Sequence, residues 1–294
     1  HDLADRDHGR VPRGHGSPRR LREPLMRISG RAHLGFRLAT YATLGLLYLP
    51  LALVFVLSFN SARSLVWPPR GWTTRWWTTF FDVESAREAL WSSARIGLVA
   101  MIVAVVLGTM LAFALQRHDF FGKQSVGFLA VLPIALPGIV TGVALRNAWV
   151  RFGWDLGFLS VVAGHTTFCI VVAYNNVIAR LRRIAPNLRE ASADLGATPR
   201  QTFRYVTWPL IRSAVVAGGI LAFALSFDEV VVTTFTAGAG ISTLPQWILN
   251  NFSRPNVLPY VTVMATLVIL VSLPIAWLAQ RLADGDGGGG GAGG

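Results

Sequence analysis

Lysine and cysteine are nearly missing from this chain: 294 residues hold one of each, Lys123 and Cys169. Charge of either sign is sparse, at 14%. One cysteine excludes an internal disulfide, and its apolar surroundings read as small apolar packing. One lysine leaves one place for a phosphate-cradling G-x-x-x-x-G-K-[ST] loop, and there, before "HDFFGKQS", Arg117 stands where the first glycine is needed. ATP hydrolysis by that route is excluded. No Gly-x-Ser-x-Gly elbow or His-Glu-x-x-His helix occurs, so an intramembrane enzyme has only scattered polar residues in its favour. Four of the six histidines fall within the first 33 residues and none has metal-ligand spacing, so no metal site is expected.

What the chain has instead is long apolar runs. It is 52% hydrophobic with a mean hydropathy of +0.47, and stretches near the ~20 residues that cross a bilayer recur six times. The first runs from about Leu38 to Phe59 and the second from Ile96 to Leu115. The third, about Ser125 to Val150, carries Pro133 and Pro137 and should kink there. The fourth, about Phe158 to Ala179, includes His165, Thr166, Thr167, Asn175 and Asn176 and should face other helices more than lipid. The fifth runs from Pro209 to about Ala237, interrupted by Asp228 and Glu229, and the sixth from about Val257 to Arg281. These runs predict an all-α membrane protein with six spans.

Positive residues favour the cytoplasmic side. With the N-terminus inside, the inner segments hold 19 Lys and Arg and the outer segments 8, which predicts both termini in the cytoplasm. A net charge of +12 would also suit nucleic acid. No soluble aromatic-and-basic stripe accompanies it, however, and the arginines cluster at span ends, where lipid headgroups lie. Five of the ten tryptophans (Trp67, Trp72, Trp76, Trp77, Trp91) fall in the first outer connection, which should lie along the interface. Residues 1–37 read as a basic tail, disordered by composition, with the natural start expected at Met26; that start leaves 13 positive residues inside. No cleavable signal peptide is expected. Residues 283–294, ending "GDGGGGGAGG", read as a flexible tail, so the membrane domain is 38–282.

One hydrophilic stretch, "REASADLGATPRQTFRYVTWPL", lies inside the connection 186–210 between the fourth and fifth spans. Asn187 and Glu190 have capping-box spacing, so a helix should start near Leu188. Gly196 sits where a left-handed cap would end it after about two turns. Thr198, Pro199 and Gln201 then start a second helix at once. Leu188, Ala191 and Leu195 share a stripe, with Arg189, Glu190 and Asp194 on other faces. Such a bent pair can dock a soluble partner or lie on lipid.

The spacing Glu190-Ala191-Ser192, three residues, Gly196, nine residues, Val206-Thr207-Trp208-Pro209 resembles the signature E-A-A, three residues, G, nine residues, I-x-L-P of ABC importer permease subunits. Ser192, Val206 and Trp208 depart mildly from it. "LAFALSFDEVVVTTFTAG" (221–238) and "LPIALPGIVTGVAL" (132–145) are similar to spans of spermidine and putrescine permeases, though relatives handling aminophosphonates or iron share much of them.

The resemblance implies a type I, MetI-like permease in the bacterial plasma membrane that is not an enzyme and holds no cofactor. Glu190, Ala191, Ser192, Asp194, Leu195, Gly196, Pro199 and Pro209 would form a cytoplasmic coupling helix. Its implied partners are a second permease subunit, two ATPase subunits that use ATP and Mg, and an extracytoplasmic binding protein. Permeation of a different small solute, a stand-alone channel, and a non-transporting sensor or scaffold remain as other readings.

Carboxylates within an apolar run are costly, so Asp228 and Glu229 ask for a reason. Asp228 lies 19 residues beyond Pro209, about 28 Å along a helix and toward the outer side. One of the pair can line a path for a polyammonium substrate, or the pair can cap a helix break or hold a neighbouring helix. In a continuous helix the two would point about 100° apart, so both should not face one cavity. Asn175 and Asn176 either join helices or line an exit.

Overall fold

Small residues recur every three or four places between Ala86 and Ala112, at Ala89, Ser93, Gly97, Ala100, Ala104 and Gly108. In the computed structural model of the protein all of them are buried along one stripe of a 34-residue helix. The structure describes residues 30–117, 119, 121–185 and 187–284. Met26, the rest of the segment before Gly30, and the glycine run from 285 lie outside the described residues.

In chain order the helices are α1 (Gly30–Leu57), α2 (Arg75–Thr78), α3 (Glu84–Arg117), α4 (Lys123–Ala135), α5 (Gly138–Arg151), α6 (Phe158–Leu181), α7 (Asn187–Asp194), α8 (Pro199–Thr202), α9 (Trp208–Phe227), α10 (Val231–Thr236), α11 (Leu244–Asn251) and α12 (Leu258–Asp284). A 3-10 turn, Phe80–Asp82, follows α2, and a π turn, Phe203–Thr207, joins α8 to α9. No β-strand occurs among the described residues; Asn60 and Trp72 form an isolated bridge. Among the same residues five helices are long and apolar enough to cross a membrane, or six with α4 and α5 taken as one bent span.

Contacts divide the chain after Leu49. The first unit holds the start of α1, where Thr40 Oγ1 donates to the Phe36 carbonyl one turn back. The second unit, from Pro50 on, is built on the α3 stripe. Because no large side chain intervenes, α6 and α9 approach α3 almost to backbone contact. A Cβ on Gly108 would lie 2.9 Å from the Ile170 carbonyl oxygen and the Tyr174 amide of α6. Likewise a Cβ on Gly218 of α9 would lie 3.3 Å from the Ala173 Cα of α6. The opposite face of α3 exposes Leu98, Ile102, Val106 and Met110, four residues apart, which face hydrocarbon or a neighbouring subunit in a membrane. As its polar residues predict, α6 is the most enclosed of the spans, with His165, Thr166 and Cys169 buried; the cysteine thiol donates to the Ala222 carbonyl of α9.

The tryptophan-rich connection folds over one end of this trio. Trp76 is buried with Phe80 against Leu244, Trp247 and Met264, and its indole N–H donates to the Asn60 carbonyl at 2.9 Å, while Trp67, Trp72 and Trp91 stay exposed.

Two spans depart from the sequence reading. The third is not one kinked helix: α4 and α5 are separate and change direction by 106°. Proline disfavours helical backbone in the residue before it, and Leu136, before Pro137, is extended at φ −80°, ψ 142°. The fifth does not open at Pro209. Helix runs without a break from Pro199 to Phe227, because the π turn bonds Trp208 N–H to the Phe203 carbonyl, five residues back, and so makes room for the proline ring. It then ends at Asp228, and α10 starts anew at Val231.

Gly108→Ala should destabilise the protein by about 1–3 kcal/mol, since the methyl group meets backbone that cannot move aside. Gly127 of α4 has open space around its Cβ position, and Gly127→Ala should be neutral or slightly stabilising. Thermal unfolding of the two purified variants in detergent measures the contrast.

Candidate functional site

The connection between α6 and α9 folds as two short helices at a bend. Gly196 holds φ +79°, the left-handed region open to glycine. Around it the Gly196 amide donates to the Ala193 carbonyl and the Ala197 amide to the Ser192 carbonyl, a closure that satisfies the end of α7. Thr198 accepts from the Gln201 amide while the Gln201 side chain accepts from the Thr198 amide, so α8 starts on a capping box. Asn187 is the first residue of α7.

Across the bend, Ser192 Oγ and Thr202 Oγ1 lie 2.9 Å apart and tie the two helices together. Leu195 stands at the tip, 88% exposed, with Leu188 half-exposed and Ala191 and Asp194 also on the surface. A leucine bared to this degree beside a bend is the kind of apolar point a partner surface covers. Glu190 and Pro199 instead border a cavity of about 530 Å³ behind the loop, together with Phe113 of α3, Leu181 of α6 and Phe203. Pro209, in the first turn of α9, is exposed. Thus the structure brings Ser192, Leu195, Gly196 and Pro199 into one knuckle, while Pro209 sits beyond the π turn.

The acidic pair lies at the break between α9 and α10, and its two members differ. Glu229 Oε1 accepts from the Val232 amide at 2.8 Å and so caps the start of α10. Asp228 caps the end of α9, its amide donating to the Ala224 carbonyl, and its exposed carboxylate has no hydrogen-bond or ion-pair partner among the described residues. Of the other amides considered, Asn176 donates back to the Val172 carbonyl within α6, and Asn175 is exposed.

His165 holds this break in place, a role the sequence did not disclose. It is fully buried in α6, with Nδ1 2.7 Å from Ser226 Oγ of α9 and Nε2 2.7 Å from Thr233 Oγ1 of α10. The Thr233 hydroxyl proton is given to the Glu229 carbonyl, so Nε2–H donates to Thr233, and Nδ1 accepts from Ser226. One neutral imidazole therefore bridges the helices on both sides of the break. The polarity of the fourth span was the available signal, but only folding brings residues 61 and 68 positions apart to one ring. Two glycines of α5 pack beside the same place: a Cβ on Gly138 would lie 3.3 Å from Val231, and one on Gly142 would lie 2.8 Å from Phe235.

Residues 104–285 match the family described as binding-protein-dependent transport system inner membrane component. The chain is 34% identical over 250 residues to the putrescine transport system permease protein PotI of Escherichia coli K12, covering 81% of this chain and 88% of the relative. It is also 34% identical over 259 residues to the spermidine/putrescine transport system permease protein PotC of Shigella flexneri, covering 86% and 96%. In fold it is similar to a bacterial alginate ABC transporter in complex with alginate pentasaccharide-bound periplasmic protein, at TM-score 0.63, 14% identity, and coverage of 86% of this chain and 94% of the other. An inward-facing MetNI methionine ABC transporter superposes at TM-score 0.53 with 20% identity over 66% and 94%.

His165→Ala leaves the buried Ser226 hydroxyl without its acceptor and should lower stability by about 1–3 kcal/mol. His165→Gln, which can both donate and accept, should recover part of the loss; thermal unfolding in detergent of the two variants reports it.

Proposed function

The chain belongs to the family of binding-protein-dependent transport inner membrane components and is a permease subunit of an ABC importer, not an enzyme; from that premise we propose that it forms half of a translocation path for polyamines. The observation that carries the substrate class is its 34% identity to a putrescine permease across 88% of that relative. Asp228 adds a chemical reason: a carboxylate free of protein partners, at a helix break toward the outer side of the proposed topology, attracts an ammonium group. Glu229, occupied in capping α10, serves structure instead.

In this reading both termini are cytoplasmic and the α7–α8 knuckle faces an ATPase subunit. The assembly contains a related second permease, two ATPase subunits that bind ATP and Mg, and an extracytoplasmic binding protein. Leu195 enters the ATPase surface, Gly196 allows the bend, and the Ser192–Thr202 contact makes α7 and α8 move together. Displacement at Pro199 then passes along a single helix to Phe227, 29 residues and about 43 Å. There it meets the Asp228 break, where His165 and Ser226 couple it to α6 and α10. Closure of the ATPase pair would in this way reach the outer half of the path without a flexible link.

Asp228→Asn should reduce uptake of labelled putrescine or spermidine about tenfold in cells expressing the whole operon, the size of one lost interaction with a charged group. Unchanged uptake and substrate preference would remove Asp228 from the path. Gly196→Asp or Glu190→Lys should abolish uptake and reduce co-purification of the ATPase while the protein still accumulates in the membrane. If docking and uptake survive both changes, the knuckle is not the coupling element.

A further inference from the structure

At the foot of α9, Arg200, Phe203, Arg204 and Trp208 line a groove of about 530 Å³. Its floor is aromatic: the Phe203 and Trp208 rings lie 6.3 Å apart, and Phe203 continues onto Phe113 of α3 at 5.7 Å. Its rim is cationic, with both arginines exposed and the Arg204 guanidinium 5.9 Å from the centre of the Tyr205 ring. Among the described residues Asp119–Lys123 is the only ion pair, so neither guanidinium of the groove has a carboxylate partner there.

We propose that this groove binds the headgroup and upper acyl chain of an anionic phospholipid from the cytoplasmic leaflet. The proposal rests on the inward placement of the α7–α8 loop given above. Depth along the helix selects the occupant. Headgroup layers occupy roughly 5–7 Å on each side of the hydrocarbon. Trp208, at the start of α9, suits the hydrocarbon boundary where tryptophan concentrates. Arg204 lies four residues and Arg200 eight residues toward the N-terminus, about 6 Å and 12 Å below it. Arg204 is then at phosphate level and Arg200 about 5 Å beyond the headgroup layer, still within a Debye length of about 8 Å from the anionic surface. Guanidinium forks match phosphate oxygens, and the rings of Phe203 and Trp208 cover the first methylenes. A soluble acidic protein would satisfy the arginines and leave those rings uncovered.

The full chain, co-purified with its second permease and ATPase from vesicles of mixed phosphatidylglycerol and phosphatidylcholine, is examined by native mass spectrometry. Retention of phosphatidylglycerol over phosphatidylcholine is expected. The double variant Arg200→Gln/Arg204→Gln should weaken that retention about thirtyfold, at about fivefold for each arginine near the surface. Arg254→Gln, in the turn between α11 and α12, should leave it unchanged. Equal retention in the double variant overturns the proposal. So does loss of the ATPase subunit from the double variant with lipid retention intact, which assigns the arginines to a protein interface. Displacement of the lipid by inorganic phosphate alone would mark a free-anion site and also overturns it. Failure of the ATPase to co-purify with the unaltered chain counts against the coupling reading, whatever the lipid result.

Discussion

Backbone-distance packing of α6 against the small-residue stripe of α3 is the contact on which the rest of the second unit depends. It sets α6 at the centre, so that α9 can close over both through Gly218 and Gly219, which face Ala173 of α6 and Val105 of α3. Within a bilayer, lipid tails are as apolar as leucine, and helices associate through close packing and hydrogen bonds. The glycines and alanines of α3 provide the first, and the buried His165, Ser226, Thr233 and Cys169 provide the second.

At Pro137, at Pro209 and at Asp228, where helix geometry is interrupted, local devices keep backbone groups bonded, as hydrocarbon requires. Leu136 N–H still reaches the Leu132 carbonyl before the turn at Pro137. The π turn absorbs Pro209. Glu229 and His165 together hold the gap between α9 and α10. The acidic pair therefore separates into a capping residue and a free carboxylate, and a continuous helix reaches from the knuckle to that carboxylate.

Much of this was legible in the chain before folding. The spans were visible as apolar runs, α6 as the polar one among them, and the bend at Gly196 with its Thr198–Gln201 cap as local chemistry. Those features depend on neighbours in sequence or on the period of a single helix. Three others were not legible. The 106° turn at Pro137 looks the same in sequence as a kink, since both need a proline and differ only in what packs beside it. The start of the fifth helix at Pro199 depended on a π turn with no residue signature. The bridge through His165 needed three helices to meet.

The sequence by itself determined that the chain is helical, crosses a membrane, cannot hydrolyse ATP through a phosphate loop, and carries a hydrophilic elbow between its fourth and fifth spans. Periodicity, hydropathy and turn chemistry are short-range properties, and they suffice for these. Tertiary structure alone decided where the fifth helix stops, which carboxylate is left free there, and how the elbow connects to the break. Those outcomes depend on partners 61 and 68 residues apart, chosen by how closely three helices can approach.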